Sequence, residues 1–378
     1  MKYIDEYRDP RHTEPLLQRL GAVTKECGPS GVSIMHVCGS HERAIAKFGI
    51  RAILPPGLEV IMGPGCPVCV SDTTEVNEGV ALALDGKIVL TYGDMLRVPG
   101  TRMSLAEAKA QGADVRVVYG PAAAVAVAVA NPNRDVVFFA TGFETTAAAT
   151  AGVILAGPPP NLSFLSAHKY IPPVMEIVAE MPHTRVQGFL AAGHAATVTG
   201  WGVFEPFVRR HALPVVVSGF EPVDILLALI VLVELIRDGR AEVKNAYPRC
   251  VTREGNRDLQ RAIWEVFELV GGRWRGIANI PNGNIRFRDA YRAYDARKRF
   301  RIDTDALETS GLSDLARQCI CGDIMSGVAT PHDCALFGKE CNPLQPVGAC
   351  MVSSEGTCRI WFEYGGRPER LAVGKESA

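Results

Sequence analysis

The sequence predicts an α/β protein: two small parallel-sheet βα domains followed by a third, cysteine-rich domain. From Gly31 to about Ile236, short β-branched runs alternate with Ala-rich helical stretches, the pattern of βα units that build parallel sheets. After Asn245 the alternation stops, and six of the eleven cysteines fall between Cys319 and Cys358. At 378 residues the chain also exceeds the usual size of one hydrophobic core.

The predicted strands are Val32 to Val37, Leu58 to Met62, Lys87 to Thr91, Val115 to Tyr119, Asp135 to Ala140, Leu162 to Ser166, Val186 to Leu190 and Pro214 to Ser218. Eight strands suit two small sheets better than one. Asn131-Pro132-Asn133 opposes helix continuation, so the first domain is read as 30–130 and the second as 131–244. Charged helical sequence then runs through Arg261 to Val270 and gives way to a Gly-rich and Arg-rich loop. The third domain is read as 245–378, with residues 1–29 packing on it. Its tail has little periodicity and needs an internal crosslink to hold its shape.

A net charge of −1 without a basic run removes the electrostatic footprint of a nucleic-acid binder. Met1 to Pro10 carries Lys2, Asp5, Glu6, Arg8 and Asp9, unlike a secretory signal. The most hydrophobic run, Ile225 to Val233, stops at Glu234, too short to cross a bilayer of ~30 Å. The expectation is a soluble, cytoplasmic monomer without membrane association. In that reducing compartment, eleven cysteines favour metal ligands or redox thiols over a disulfide framework.

The first chemical station opens with Cys38-Gly39-Ser40-His41-Glu42, directly after a strand, where ligands gather in open α/β sheets. If a helix starts near Ser40, backbone N–H groups and the helix dipole favour the Cys38 thiolate. Thiolate and imidazole three residues apart can both reach one iron. For an isolated cysteine, a buried thiol beside a capping Ser-His-Glu is the plainer account. Gly63-Pro64-Gly65-Cys66-Pro67-Val68-Cys69 follows the next strand. Its C-x-x-C pair resembles a thioredoxin-like redox motif, and its glycines permit close backbone approach. Half a zinc site is the competing account, but the first domain lacks the second pair that zinc needs.

The tail carries Cys319, Cys321, Cys334, Cys341, Cys350 and Cys358. From Cys321 four of these read C-x12-C-x6-C-x16-C, interrupted by Cys350. Four thiolates on irregular chain suit an iron-sulfur cubane. A ladder of zinc ligands fits the spacing too, and Cys319 competes with Cys321 for one position.

Between the stations, Thr141-Gly142-Phe143-Glu144-Thr145-Thr146 ends an apolar strand and precedes an Ala-rich helix. It suits anion binding at the helix N-terminus, with Thr141, Glu144 and Thr145 lining a crevice alongside Glu42. Equally, Thr141 and Glu144 suit a purely structural capping box. The segment lacks the Gly-Lys-Ser/Thr ending of a P-loop, so no nucleotide site is predicted. His194 either faces the same crevice or is an ordinary loop histidine.

These segments, with Gly219-Phe220-Glu221-Pro222 and Cys350-Met351-Val352-Ser353-Ser354-Glu355-Gly356, occur in one order over roughly Gly31 to Cys358 and resemble the HypD family of hydrogenase maturation factors. Ala191-Ala192-Gly193-His194 has alanine where the family is expected to carry proline, while Cys27 and Cys250 match no motif and are read as buried thiols. The resemblance implies two α/β domains facing a cluster-bearing third. It implies a [4Fe-4S] cluster on Cys321, Cys334, Cys341 and Cys358, with Cys319 and Cys350 as alternates. It further implies that Cys38 and His41 hold iron shared with a HypC-type chaperone, that a HypE-type protein donates cyanide, and that the product is Fe(CN)2(CO). Cys66 and Cys69 then serve as the dithiol that relays electrons. A protein disulfide reductase and a zinc-stabilised binding module are the alternatives.

Overall fold

In the computed structural model, the described residues are 5–182, 184–302 and 314–366. All eight predicted strands form. We label them β1 Val32–His36, β2 Leu58–Met62, β3 Ile88–Thr91, β4 Val115–Val117, β5 Val136–Gly142, β6 Leu162–Lys169, β7 Gly188–Ala192 and β8 Val215–Ser218. Three more follow: β9 Val243–Asn245, β10 Phe267–Trp274 and β11 Ala278–Phe287. Every residue of β1, β5, β6, β7 and β8 is buried, as expected of parallel strands covered by helices on both faces.

The strands make two sheets. One has five parallel strands in the order β2-β1-β7-β8-β9, and the other has six in the order β10-β11-β6-β5-β3-β4. The chain therefore leaves the first sheet after β2, builds most of the second, and returns at β7. The Asn131-Pro132-Asn133 turn lies inside the six-stranded sheet, between the helix Pro121–Ala130 and β5. Asn131 there donates to the Val127 carbonyl at 2.8 Å. The Pro/Asn signal thus marks the end of a helix, and the sheets do not part at residue 131.

Two further expectations are corrected. The helix expected through Val270 is Arg257–Val266, and the chain then enters the β10–β11 hairpin where a loop was expected. Phe267 ends the helix by packing against Phe287 at 4.8 Å between ring centroids, and Gly271-Gly272 sits at a β-bulge. The hairpin joins the second sheet antiparallel to β6, so residues after 245 do not fold as a unit apart from it. Buried Lys169 at the end of β6 secures this junction, donating to Glu75 Oε2 at 2.9 Å and Asn284 Oδ1 at 3.1 Å.

Among the described residues, the N-terminal segment packs chiefly on the five-stranded sheet's helical layer, and its Tyr7 ring also lies under the Arg249 guanidinium of the third domain at 4.1 Å. Its helix Pro10–Glu26 lies along the apolar helix Pro222–Arg237, where Leu20 and Val23 share a core with Leu229 and Val233. Arg19–Glu234 and Arg237–Glu26 ion pairs, each 2.6 Å, flank that seam. Among the described residues no helix is long and apolar enough to cross a membrane. A larger core runs from the five-stranded sheet through Cys66 and Cys69 to Met351 and Cys358, so the cysteine-rich segment is packed onto the sheets.

Candidate functional site

In the five-stranded sheet, β1 is followed by β2 on one side and neighbours β7 on the other, so the connections diverge at the carboxyl ends of β1 and β7. This switch point is where open α/β sheets form their binding crevice. Cys38 stands there as the residue before the helix Gly39–Lys47, buried with Ala192, Ala195 and the flanking Phe220. Two glycines let loops close over it. A Cβ on Gly65 would lie 2.1 Å from Cys38 N, and one on Gly39 would lie 2.5 Å from Glu355 Cβ. The Gly63–Cys66 loop and the Ser353–Gly356 loop thus both converge on Cys38.

His41 is fully buried, and its Nε2 donates to the Gly219 carbonyl at 2.9 Å. That bond fixes the tautomer and leaves Nδ1 with a lone pair and no partner among the described residues. Burial, reinforced by His36, holds His41 down to about 3, so the ring is neutral. Phe220 stacks between His41 at 4.7 Å and His194 at 5.0 Å, which places His194 at this crevice. Burial pushes the Cys38 thiol up to about 12, and Glu355 adds to the effect. The N–H groups of Ser40 and His41 do favour thiolate, as expected, but they are outweighed. Cys38 is therefore held as a neutral thiol.

Glu42 is not a free crevice group. Its Oε2 accepts from His36 Nε2 at 2.7 Å and from Arg51 at 2.5 Å, while Oε1 accepts from Trp361 Nε1 at 2.7 Å. It therefore ties the Cys38 helix to the last described helix, Thr357–Tyr364, which carries Cys358.

Cys66 and Cys69 are joined as a disulfide across the short helix Pro67–Val70, and both are fully buried. That helix packs against the end of β5 and against the helix Ala349–Val352. The six-stranded sheet has its own switch point between β3 and β5, since β4 lies beyond β3 on the opposite side. Thr91 and Thr141 end these strands with buried hydroxyls lacking partners among the described residues. The expected capping box is not formed: Phe143 precedes the helix Glu144–Leu155 without a side-chain cap. Glu144 instead accepts from Ile171 N at 3.1 Å through Oε1, its Oε2 has no partner among the described residues, and burial pushes it up to about 7. Thr145 is half-buried in the first helical turn. Gly142 has φ +147°, and a Cβ there would meet Thr146 Oγ1 at 1.7 Å, so only glycine serves at this turn.

In the cysteine-rich segment, Cys321, Cys350 and Cys358 place their buried sulfurs within 4.8 Å of one another. Cys319 Sγ lies 3.2 Å from Cys321 Sγ. Thus Cys350, read as an interruption of the spacing, belongs to the group. Cys334 and Cys341 are not among these three sulfurs: Cys334 is half-buried, and Cys341, close enough for Cys319 and Cys321 to act on it electrostatically, accepts from Val347 N through Sγ at 3.4 Å. The signal for Cys350 is its pair of flanking glycines. A Cβ on Gly348 would lie 2.5 Å from Cys321 Sγ, and one on Gly356 would lie 2.1 Å from the Cys350 carbonyl. Cys321 and Cys358 pull the Cys350 thiol well below its ordinary range. Convergent buried soft donors of this kind can hold a thiophilic metal or cluster. Of the two cysteines outside any motif, Cys27 is half-buried and Cys250 is exposed rather than buried.

The chain matches the profile described as HypD: Hydrogenase formation hypA family over residues 12–365. It is 42% identical over 377 residues to the hydrogenase maturation factor HypD of Azotobacter vinelandii, covering 97% of each chain. It is 41% identical to that of Rhizobium leguminosarum bv. viciae, with 98% of this chain and 97% of the relative covered. The corresponding protein of Cupriavidus necator is also 41% identical, with 97% of each covered. Matches of this length and identity, over a chain whose motifs converge in space, mean that the chain belongs to the HypD family.

Proposed function

We propose that this chain is a hydrogenase maturation scaffold that holds iron between itself and a HypC-type chaperone while the Fe(CN)2(CO) moiety is assembled. The observation that carries the reading is that Cys38 and neutral His41, whose buried Nδ1 has no partner among the described residues, both stand against Phe220 at a sheet switch point. A soft thiolate suits iron bearing cyanide and carbon monoxide, and imidazole is a usual iron ligand. Iron is cargo here, and its arrival displaces the Cys38 proton.

Cyanide release from a thiocyanate-like group on a HypE-type donor consumes two electrons, giving a thiolate and cyanide. Cys66 and Cys69 as a dithiol can supply both, forming their disulfide and releasing two protons. Cys319, Cys321, Cys350 and Cys358 would hold a [4Fe-4S] cluster, whose chemistry when bound is to supply single electrons. The helix Pro67–Val70 against the helix Ala349–Val352 brings the dithiol turn beside this segment. The setting proposed is cytoplasmic, with the chain a monomer within a heteromeric complex.

The same four thiols also fit zinc, which takes four sulfurs at ~2.3 Å. Metal and sulfide analysis of anaerobically purified protein separates the two readings. Iron with sulfide, and a paramagnetic signal after dithionite reduction, supports the electron supply; zinc without sulfide removes it. For the scaffold itself, Cys38→Ala should abolish iron capture in the presence of the chaperone. Normal iron loading in that variant would overturn the role given to Cys38.

A further inference from the structure

We infer that Arg275, at the apex of the β10–β11 hairpin, is a positioning residue shared by the dithiol turn and the thiol cluster: it clamps the exit of the Cys66–Cys69 turn, and the apex it belongs to abuts Gly322 beside Cys321. The inference rests on the reading that these thiols hold a metal, and it concerns the geometry that serves them.

The clamp is visible in four bonds. Arg275 N donates to the Val70 carbonyl at 3.0 Å, and Nε donates to the Ser71 carbonyl at 2.7 Å. Both terminal nitrogens donate to the Pro99 carbonyl at 3.0 Å. One residue thus holds the two positions after Cys69 and a third strand-end loop at once. The planar fork of arginine makes this possible, because its five N–H groups reach several carbonyls in a fixed geometry that lysine does not reproduce.

The neighbouring residue completes the bridge. Gly276 touches Gly322, immediately after Cys321, so closely that a Cβ on Gly322 would lie 1.9 Å from the Gly276 carbonyl oxygen. The hairpin apex therefore abuts the start of the cluster helix while its arginine grips the dithiol turn. The half-buried Arg275 is thereby held between the dithiol turn and the start of the cluster helix. A thiolate cluster gathers negative charge, and a fixed cation beside it offsets part of that cost.

The test uses the full chain with its thiols reduced and Co2+ as the probe, read from the thiolate-to-cobalt charge-transfer band. Arg275→Met should bind Co2+ about tenfold more weakly than wild type, as expected for one nearby charge partly screened by solvent. Arg275→Lys should recover most of that loss, since it keeps the charge, and far-ultraviolet circular dichroism should be the same in all three proteins. Alkylation of the reduced Cys66–Cys69 pair should quicken severalfold in both variants, because neither retains the fork. Wild-type affinity in Arg275→Met, or equal weakness in Arg275→Lys, overturns the charge role. Unchanged alkylation overturns the clamp. Absence of a thiolate-cobalt band in the wild type would instead sink the metal reading itself, and this inference with it.

Discussion

Replacing Glu42 by Gln removes a fully buried negative charge that satisfies three donors on three different segments, His36, Arg51 and Trp361. Burial by itself pushes this carboxyl up, but Arg51 and His36 more than reverse it and hold the group at about 2 against an ordinary 4.5. At ~1.4 kcal/mol per pH unit, that gap corresponds to ~3 kcal/mol of stability carried by the ionised form. Because the folded value is depressed, the contribution is fully present above pH 4.5 and is lost as pH falls through about 2. Losing one member of a buried charged network costs about 3–5 kcal/mol when the partner charge stays buried, which agrees in size. Urea unfolding of wild type and Glu42→Gln, compared at pH 7 and at steps below 4.5, is the assay. A deficit of ~3 kcal/mol at neutral pH that shrinks toward acid is expected. A variant as stable as wild type at pH 7, or a deficit independent of pH across that window, would refute the account of Glu42 as the tie between the Cys38 helix and the cysteine-rich segment.

Gly65→Ala drives a methyl group into the backbone at Cys38 and should cost about 1–3 kcal/mol in thermal or urea unfolding while weakening iron capture; a neutral outcome would mean that the loop does not close on Cys38. Cys350→Ala should lower the metal content of anaerobically prepared protein sharply, whereas Cys334→Ala should leave it near wild type, and the reverse ranking would restore the set read from spacing. Glu144 has a raised folded value of about 7, so its favourable share of stability is fully present below pH 4.5 and is lost as pH rises through about 7. Relative to wild type, Glu144→Gln should therefore gain ~3 kcal/mol between those limits; a flat difference would show that the carboxyl is not desolvated.

The strands were legible because burial on both faces leaves continuous β-branched runs, as in Val136 to Phe139 and Val215 to Val217. Their pairing was not. The contact of β1 with β7 joins Ile34 to Gly188 across more than a hundred residues, and nothing local announces it. The Pro/Asn turn at residues 131–133 and the Gly271-Gly272 step are true breaks, but the first ends a helix and the second kinks a strand. At the site, the strand ends holding Cys38 and Cys66 could be placed from sequence because each follows a clear apolar run. The thiol group could not, since loop cysteines meet through chain reversals that spacing does not encode, and Cys350 is as far from Cys358 in sequence as Cys334 is from Cys341 to within a residue. Glu42 illustrates the same limit: its motif position suggests a crevice, while its three partners, one of them Trp361, assign it to the framework.

The behaviour of Cys38 follows from a contest between two effects that the sequence could name but not weigh. A residue at a helix start receives N–H groups that favour thiolate, and Ser40 and His41 do supply them. Burial and the nearby Glu355 carboxyl act oppositely and prevail, so the thiol keeps its proton. Neutral His41 beside it adds no charge, and its Nδ1 lone pair is held in place by the Nε2 bond to Gly219. A site of this kind costs little to bury, because no uncompensated ion stands in it. Under the proposed function it would become ionic as a cation enters and the thiol proton leaves, so that capture of the metal and release of a proton would be one event. A strongly nucleophilic thiolate exposed at this position would meet alkylating and oxidising agents continually; a buried, protonated thiol closed over by the Gly63–Cys66 and Ser353–Gly356 loops is shielded from both, which is what the proposed iron site requires of it before the metal arrives.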